Sequence, residues 1–164
     1  MSSLPLRTVA LCVALVAAAA LVIAHGSETF AGAVPCELCL WQRWPYRAIV
    51  AIGLIGAAVS PRYTRLLLWL AALGLAAEVA LAITHVGVEF GWWRSPLPGC
   101  QAPRFTGGSI AERLAAMPLR PAKPCDDPTY LIPGLPLSMA AMNLVFSAVF
   151  LAGVATAAIR SRRA

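Results

Sequence analysis

The chain has 164 residues, of which 60% are hydrophobic and only 12% charged, and its mean hydropathy is +0.76; a soluble domain carries about 45–50% apolar and about 25% charged residues. A soluble protein of this size would have to expose that excess, which excludes a soluble enzyme, a disordered chain and a nucleic-acid binder. The net charge of +6 does not bring nucleic acid back as a partner, because the thirteen Lys and Arg fall outside the apolar runs and form no basic stripe interleaved with aromatics.

The first predicted span is Thr8–Ala24, 17 apolar or small residues. A signal peptide cleaved near Ala31–Gly32–Ala33 is the rival reading of this segment. It is set aside because it would leave three spans and strand one Arg-rich end on the far side. The first outer loop, about residues 25–39, contains Cys36 and Cys39. The second span, about 40–59, is the short one: its apolar part, Ala48–Val59, has 12 residues and reaches about 18 Å against a hydrocarbon core of about 30 Å. To cross, it must recruit the stretch from Leu40, which carries Gln42, Arg43, Pro45 and Arg47. Arg43 and Arg47 then share one helix face at i, i+4, with their heads snorkelling to the interface.

The third span, about 66–84, holds one acid, Glu78. An intramembrane acid marks function by default, but here a protonated or interhelically hydrogen-bonded structural role is preferred. The loop that follows, about 85–136, carries nine prolines and is predicted irregular, apart from an amphipathic helix around Ser109–Met117 with Ile110, Leu114 and Met117 on one face. Trp92 and Trp93 are expected to anchor this loop to the interface. The fourth span, about 137–159, is interrupted only by Ser138, Asn143, Ser147 and Thr156. The expected fold is all-α: one membrane domain over residues 1–164, a four-transmembrane-helix bundle with a long irregular periplasmic loop.

Orientation follows from the basic residues. Met1–Arg7, Ser60–Arg65 and Arg160–Ala164 hold six arginines and no acid, whereas the other side mixes seven basic residues with six acids. The positive-inside rule therefore puts both termini in the cytoplasm. Trp41, Trp44 and Tyr46 are predicted at the outer interface of the second span and Tyr63 at its inner end, as an aromatic belt.

With this topology Cys36, Cys39, Cys100 and Cys125 all face the oxidising side, while Cys12 lies alone in the first span and reads as packing. A C-x-x-C can hold a redox-active disulfide, and a cysteine at a helix N-terminus beside a cation has its thiolate favoured. Cys39 has both, with Arg43 one turn on. A zinc site built from the four cysteines lacks a second close pair, since 24 residues separate Cys100 from Cys125. A c-type haem needs His where Leu40 stands. No metal is expected. Two structural staples in a membrane protein that binds or transports remain the competing reading.

The run Pro35–Tyr46, PCELCLWQRWPY, closely resembles the signature of the disulfide bond formation protein B (DsbB) family. The likeness extends over the four spans, a His just after the third, two cysteines in the long loop, and CDDPTYLIPGLPLSMAAMN leading into the fourth. The resemblance implies an inner-membrane oxidoreductase that generates disulfides. Cys100/Cys125 would oxidise a periplasmic thioredoxin-like dithiol oxidase (DsbA-like), and electrons would pass to Cys36/Cys39 and on to a membrane quinone, ubiquinone or menaquinone. It further implies that Cys100 forms the mixed disulfide, that Cys125 resolves it or passes to Cys36, and that Cys39 is the thiolate against the quinone. Arg43 would face one quinone carbonyl oxygen and His85 the other side of the head group. A relative of the vitamin K epoxide reductase type would be a variant of the same chemistry.

Overall fold

The computed structural model describes residues 5–100, 109–115, 123–132 and 134–160, with the backbone alone at 113–115. Among these, all regular structure is helical: α1 (Leu6–Ala31), α2 (Glu37–Trp41), α3 (Arg43–Ala58), α4 (Pro61–Glu89), a 3₁₀ turn (Pro98–Cys100), α5 (Ile110–Ala115) and α6 (Met139–Arg160). Three of them, α1, α4 and α6, are long and apolar enough to cross a membrane. Their outward faces are apolar, with Leu15, Val22, Leu73 and Val149 exposed.

The helices stop where local chemistry stops them. Pro61 occupies the first turn of α4 after Ser60, a position where its missing N–H costs nothing. At the other end Gly91 takes φ 69°, and Trp92 N–H closes the turn onto Gly87 C=O. α1 ends the same way at Gly32, φ 65°. This termination lies beyond the expected end at Ala24, so residues 25–31 are helix and the first loop is shorter than 25–39. Likewise α4 reaches past Thr84 to Glu89, and His85 sits on the helix instead of just after it.

The second span departs most from expectation. The stretch from Leu40 to Val59 is not one helix: α2 stops at Trp41, and α3 starts at Arg43 after a turn at Gln42. Pro45 supplies the reason, since it has no N–H to give Trp41 C=O and so interrupts the ladder at that step. With 16 residues, α3 alone is about 24 Å long.

Small residues set the packing. α1 packs chiefly on α3, α3 on α4 and α4 on α6. A Cβ at Gly53 of α3 would lie 2.8 Å from Ala10 O and 2.9 Å from Ala14 Cβ of α1, so only glycine permits this approach, the usual way apolar helices gain contact in lipid. Arg7 Nε–H donates to Val59 C=O at 3.1 Å and so ties the start of α1 to the end of α3. Between the helices runs a buried polar chain: Tyr46 Oη–H donates to Asn143 Oδ1 at 2.7 Å, and Asn143 Nδ2–H donates to Glu78 Oε1 at 2.8 Å. Glu78 is thus an interhelical hydrogen-bonding residue, as expected. Tyr46 is a core residue and not a belt residue, whereas Trp41 and Trp44 are exposed. Cys12 lies on the exposed surface of α1, not in the packed interior.

Candidate redox-active site

One end of the bundle, opposite the Arg7–Val59 contact, brings together the end of α1, all of α2, the start of α3, the end of α4 and the start of α6. Cys36 caps α2: its backbone is extended, and its Sγ accepts the Cys39 backbone N–H at 3.2 Å. The C-x-x-C spacing then puts the two side chains on the same turn. Cys36 Sγ and Cys39 Sγ are 2.7 Å apart as free thiols.

Cys100 and Cys125 are joined in a disulfide, with Cα atoms 4.8 Å apart, and Cys125 N–H donates to Cys100 C=O. This pair lies in one buried apolar cluster with Cys36, Leu38 and Val88, against which Cys39 and Leu97 pack. A bridge between Cys36 and Lys123 holds the returning loop on the C-x-x-C. The Glu37 carboxylate occupies the space a Cβ would take at Gly99, so the disulfide turn lies directly on α2. The four cysteines named from the sequence are therefore gathered in one place.

The charges around the dithiol are arranged differently from the sequence reading. Arg43 is buried and its guanidinium pairs with Glu28 of α1, a residue the sequence reading counted only as a loop acid. Following the apolar stripe of the first helix past Ala24 would have put it on the inner face. Arg43 Nε is buried without a hydrogen-bond partner among the described residues. Arg47 does not share this environment: it is exposed and lies over the Trp44 ring, 5.2 Å from its centroid.

His85 is buried, with Nε2 3.4 Å from Cys36 Sγ and Nδ1 3.3 Å from Gln42 Oε1. An Nδ1–H donated to Gln42 leaves the Nε2 lone pair facing the sulfur. Gln42, named from the sequence only as a polar interruption, is thus part of the site. At its rim Ser138 Oγ–H donates to Glu89 and accepts from Ala141 N–H, which caps α6 and ties it to α4. Lys123 pairs with Asp127 and Thr129. A small pocket opens between Cys36, Cys39, Arg43, His85, Glu89 and Met139.

The pair titrates unequally. The Cys39 thiol is lowered to about 7, first by the hydrogen bond from the Cys36 side chain and then by the Cys36 backbone and the Arg43 cation, against desolvation. Cys36 is pushed up by that same bond, burial and the Cys39 charge. Cys39 is therefore the sulfur of the pair that ionises first, while Cys36 stays a thiol.

Of the remaining expectations, α5 begins with a capping box: Ser109 N–H donates to Glu112 at 2.8 Å and Glu112 N–H to Ser109 Oγ at 3.3 Å. Ile110 is exposed, while Leu114 and Met117 lie outside the described side chains. Trp92 is exposed, and Trp93 folds back to donate its indole N–H to Thr84 C=O at 3.0 Å.

Three helices long and apolar enough to cross a membrane, with a C-x-x-C dithiol packed on a disulfide-bonded cysteine pair, define the class as a multi-pass helical membrane protein with paired cysteines at one end of its bundle. The family described as disulfide bond formation protein DsbB matches residues 6–157, and the chain belongs to that family, whose work is disulfide bond formation at a membrane. It is similar to disulfide bond formation protein B of Acinetobacter baylyi (strain ATCC 33305 / BD413 / ADP1), 35% identical over 96 residues, 57% of this chain and 52% of that protein. The match thus spans about half the length of the curated relative. No solved structure matches the chain.

Proposed function

We propose that the chain is a quinone-dependent thiol oxidase that reoxidises a periplasmic thioredoxin-like (DsbA-like) dithiol oxidase. The observation that carries this reading is the C-x-x-C pair, with Cys36 and Cys39 sulfurs in contact, packed in one cluster with the Cys100–Cys125 disulfide. In the proposed topology α3, extended from about Leu40, is the second of four spans, between α1 and α4. Both termini are cytoplasmic and the cysteines are periplasmic, in the bacterial inner membrane.

A partner dithiol reduces Cys100–Cys125: one partner thiolate attacks Cys100, the second displaces it, and the partner leaves as a disulfide. The Cys125 thiolate then attacks Cys36 of an oxidised Cys36–Cys39 pair. Cys39 is the better leaving group because the thiol of lower pKa departs faster. Cys100 closes the loop disulfide again by displacing Cys36, so two electrons now rest on Cys36 and Cys39.

Quinone, when bound, supplies the two-electron sink that returns this pair to the disulfide. The lining has the chemistry such a head group needs: Arg43 offers a buried Nε–H with no acceptor among the described residues, on the pocket it shares with Cys39, and Met139 and Ala140 add apolar surface. Arg43 would hold a carbonyl oxygen and favour negative charge there, and His85 would flank the head group while its Nε2 stays in reach of the Cys36 proton. Purified protein given quinone and a reduced thioredoxin-like dithiol should convert the quinone absorbance to that of quinol. No absorbance change, with protein folded and all four cysteines titratable after reduction, would leave the cysteines as structural staples.

A further inference from the structure

We infer that the reduced Cys36/Cys39 pair and His85 form a binding site for a thiophilic closed-shell cation of the Zn²⁺ class, present only in the dithiol state. The two Sγ atoms and a ring nitrogen of His85 all lie within 4.8 Å of one another. Zn–S bonds of about 2.3 Å and Zn–N bonds of about 2.0–2.1 Å at tetrahedral angles call for an S···N separation of about 3.6 Å; Cys36 Sγ to His85 Nε2 is 3.4 Å. The two sulfurs, 2.7 Å apart, need only part by about 1 Å, and side-chain rotation of Cys39, on the half-exposed side of the pair, suffices.

Two further features suit the ligands to a metal. His85 turns Nδ1 to Gln42 Oε1, and a ligating histidine almost always donates its other N–H in this way to an oxygen that fixes ring and tautomer. The Cys39 backbone N–H on Cys36 Sγ stabilises a thiolate at the sulfur that is otherwise the thiol of the pair. Two thiolates and a neutral imidazole cancel a divalent charge, and the nearby cations, Arg43 and Lys123, are already paired with Glu28 and Asp127. Cys36, Cys39 and His85 all line the small pocket, which leaves room for a water as the fourth ligand.

Oxidation to the Cys36–Cys39 disulfide removes both thiolates and with them the site. If the electron route proposed above holds, the cation competes with oxidation of the pair and arrests the protein reduced when acceptor is scarce. That consequence rests on the proposed function; the site itself does not.

The test uses the full chain with Cys12→Ala, Cys100→Ser and Cys125→Ser, so that Cys36 and Cys39 are its only thiols. It is reduced, freed of reductant without air, and titrated with Co²⁺ as a spectroscopic stand-in, then with Zn²⁺. One equivalent of Co²⁺ should produce thiolate-to-metal charge transfer and the intense visible bands of a tetrahedral site, which Zn²⁺ bleaches. Gln42→Leu should weaken binding by about 10–100-fold, His85→Ala by at least as much, and His85→Cys should restore it. Unchanged affinity in His85→Ala, a signal that survives oxidation to the disulfide, or no Co²⁺ uptake by helical protein whose two thiols still titrate would each overturn the inference. The readout involves no turnover, so its failure leaves the quinone assay standing, and the reverse.

Discussion

The unequal cysteine pair gives a prediction that can be worked in numbers. The first cause of the lowered Cys39 value is the hydrogen bond from Cys36, ahead of Arg43, so Cys36→Ala should do more than removing the cation. With its thiol at about 7 instead of the ordinary 9.0, Cys39 is about half thiolate at pH 7. After Cys36→Ala it should be about one part in a hundred, a fall of about 50-fold for two pKa units. Intrinsic nucleophilicity moves the other way, rising with pKa at a Brønsted slope of about 0.4–0.5, or about eightfold over two units. Alkylation at pH 7 should therefore slow only about sixfold, while the plateau above pH 10 should rise about eightfold, so the two rate profiles cross. The assay is iodoacetamide alkylation of Cys39, followed by mass spectrometry from pH 5 to about 10.5, in protein with Cys12, Cys100 and Cys125 replaced. The sign is fixed: reactivity rises with pH through about 7 in the parent. A parent midpoint near 9, or a larger shift from Arg43→Met than from Cys36→Ala, would refute the reasoning.

Three further outcomes are expected. Asn143→Leu strips Glu78 Oε1 of its donor and Tyr46 of its acceptor. A buried polar group left unpaired costs about 1–3 kcal/mol, so thermal unfolding in detergent should fall further than for Tyr46→Phe, which loses one bond worth about 0.6 kcal/mol in membrane proteins. Gly53→Leu pushes a side chain into Ala10 and Ala14 of α1 and should cost about 1–3 kcal/mol or more by overpacking, seen as lost helix–helix stability in a denaturant titration, whereas Gly153→Leu, in open space, should be neutral. In the proposed oxidase, Arg43→Ala should lower turnover and raise the apparent KM for quinone, and Arg47→Ala, on the exposed face over Trp44, should do less; equal defects in steady-state kinetics would count against the division.

Much of the protein is legible in the sequence because lipid makes a coarse demand. Long apolar runs such as 66–84 and 137–159 have one solution, a helix with its backbone bonds satisfied internally, and α4 and α6 enclose them. C-x-x-C spacing alone puts Cys36 and Cys39 on one turn, and PCELCLWQRWPY carries the family. Where an element ends was less legible, since hydropathy falls at Ala24 while the helix runs on to the first left-handed glycine, Gly32.

What only the tertiary structure decided is which polar groups meet. Glu28 reaches Arg43 across 15 positions, His85 reaches Cys36 across 49, and Asn143 reaches Tyr46 across 97; no local period encodes such pairings. Each arises because close helix packing through residues such as Gly53 leaves buried polar atoms that must find partners in a medium without water. The sequence determines that a dithiol, a histidine and a cation exist near one membrane face. The packing of α1, α3 and α4 decides that the cation is shared with Glu28 and that the histidine faces sulfur, because burial makes each of these polar groups answer to its nearest partner.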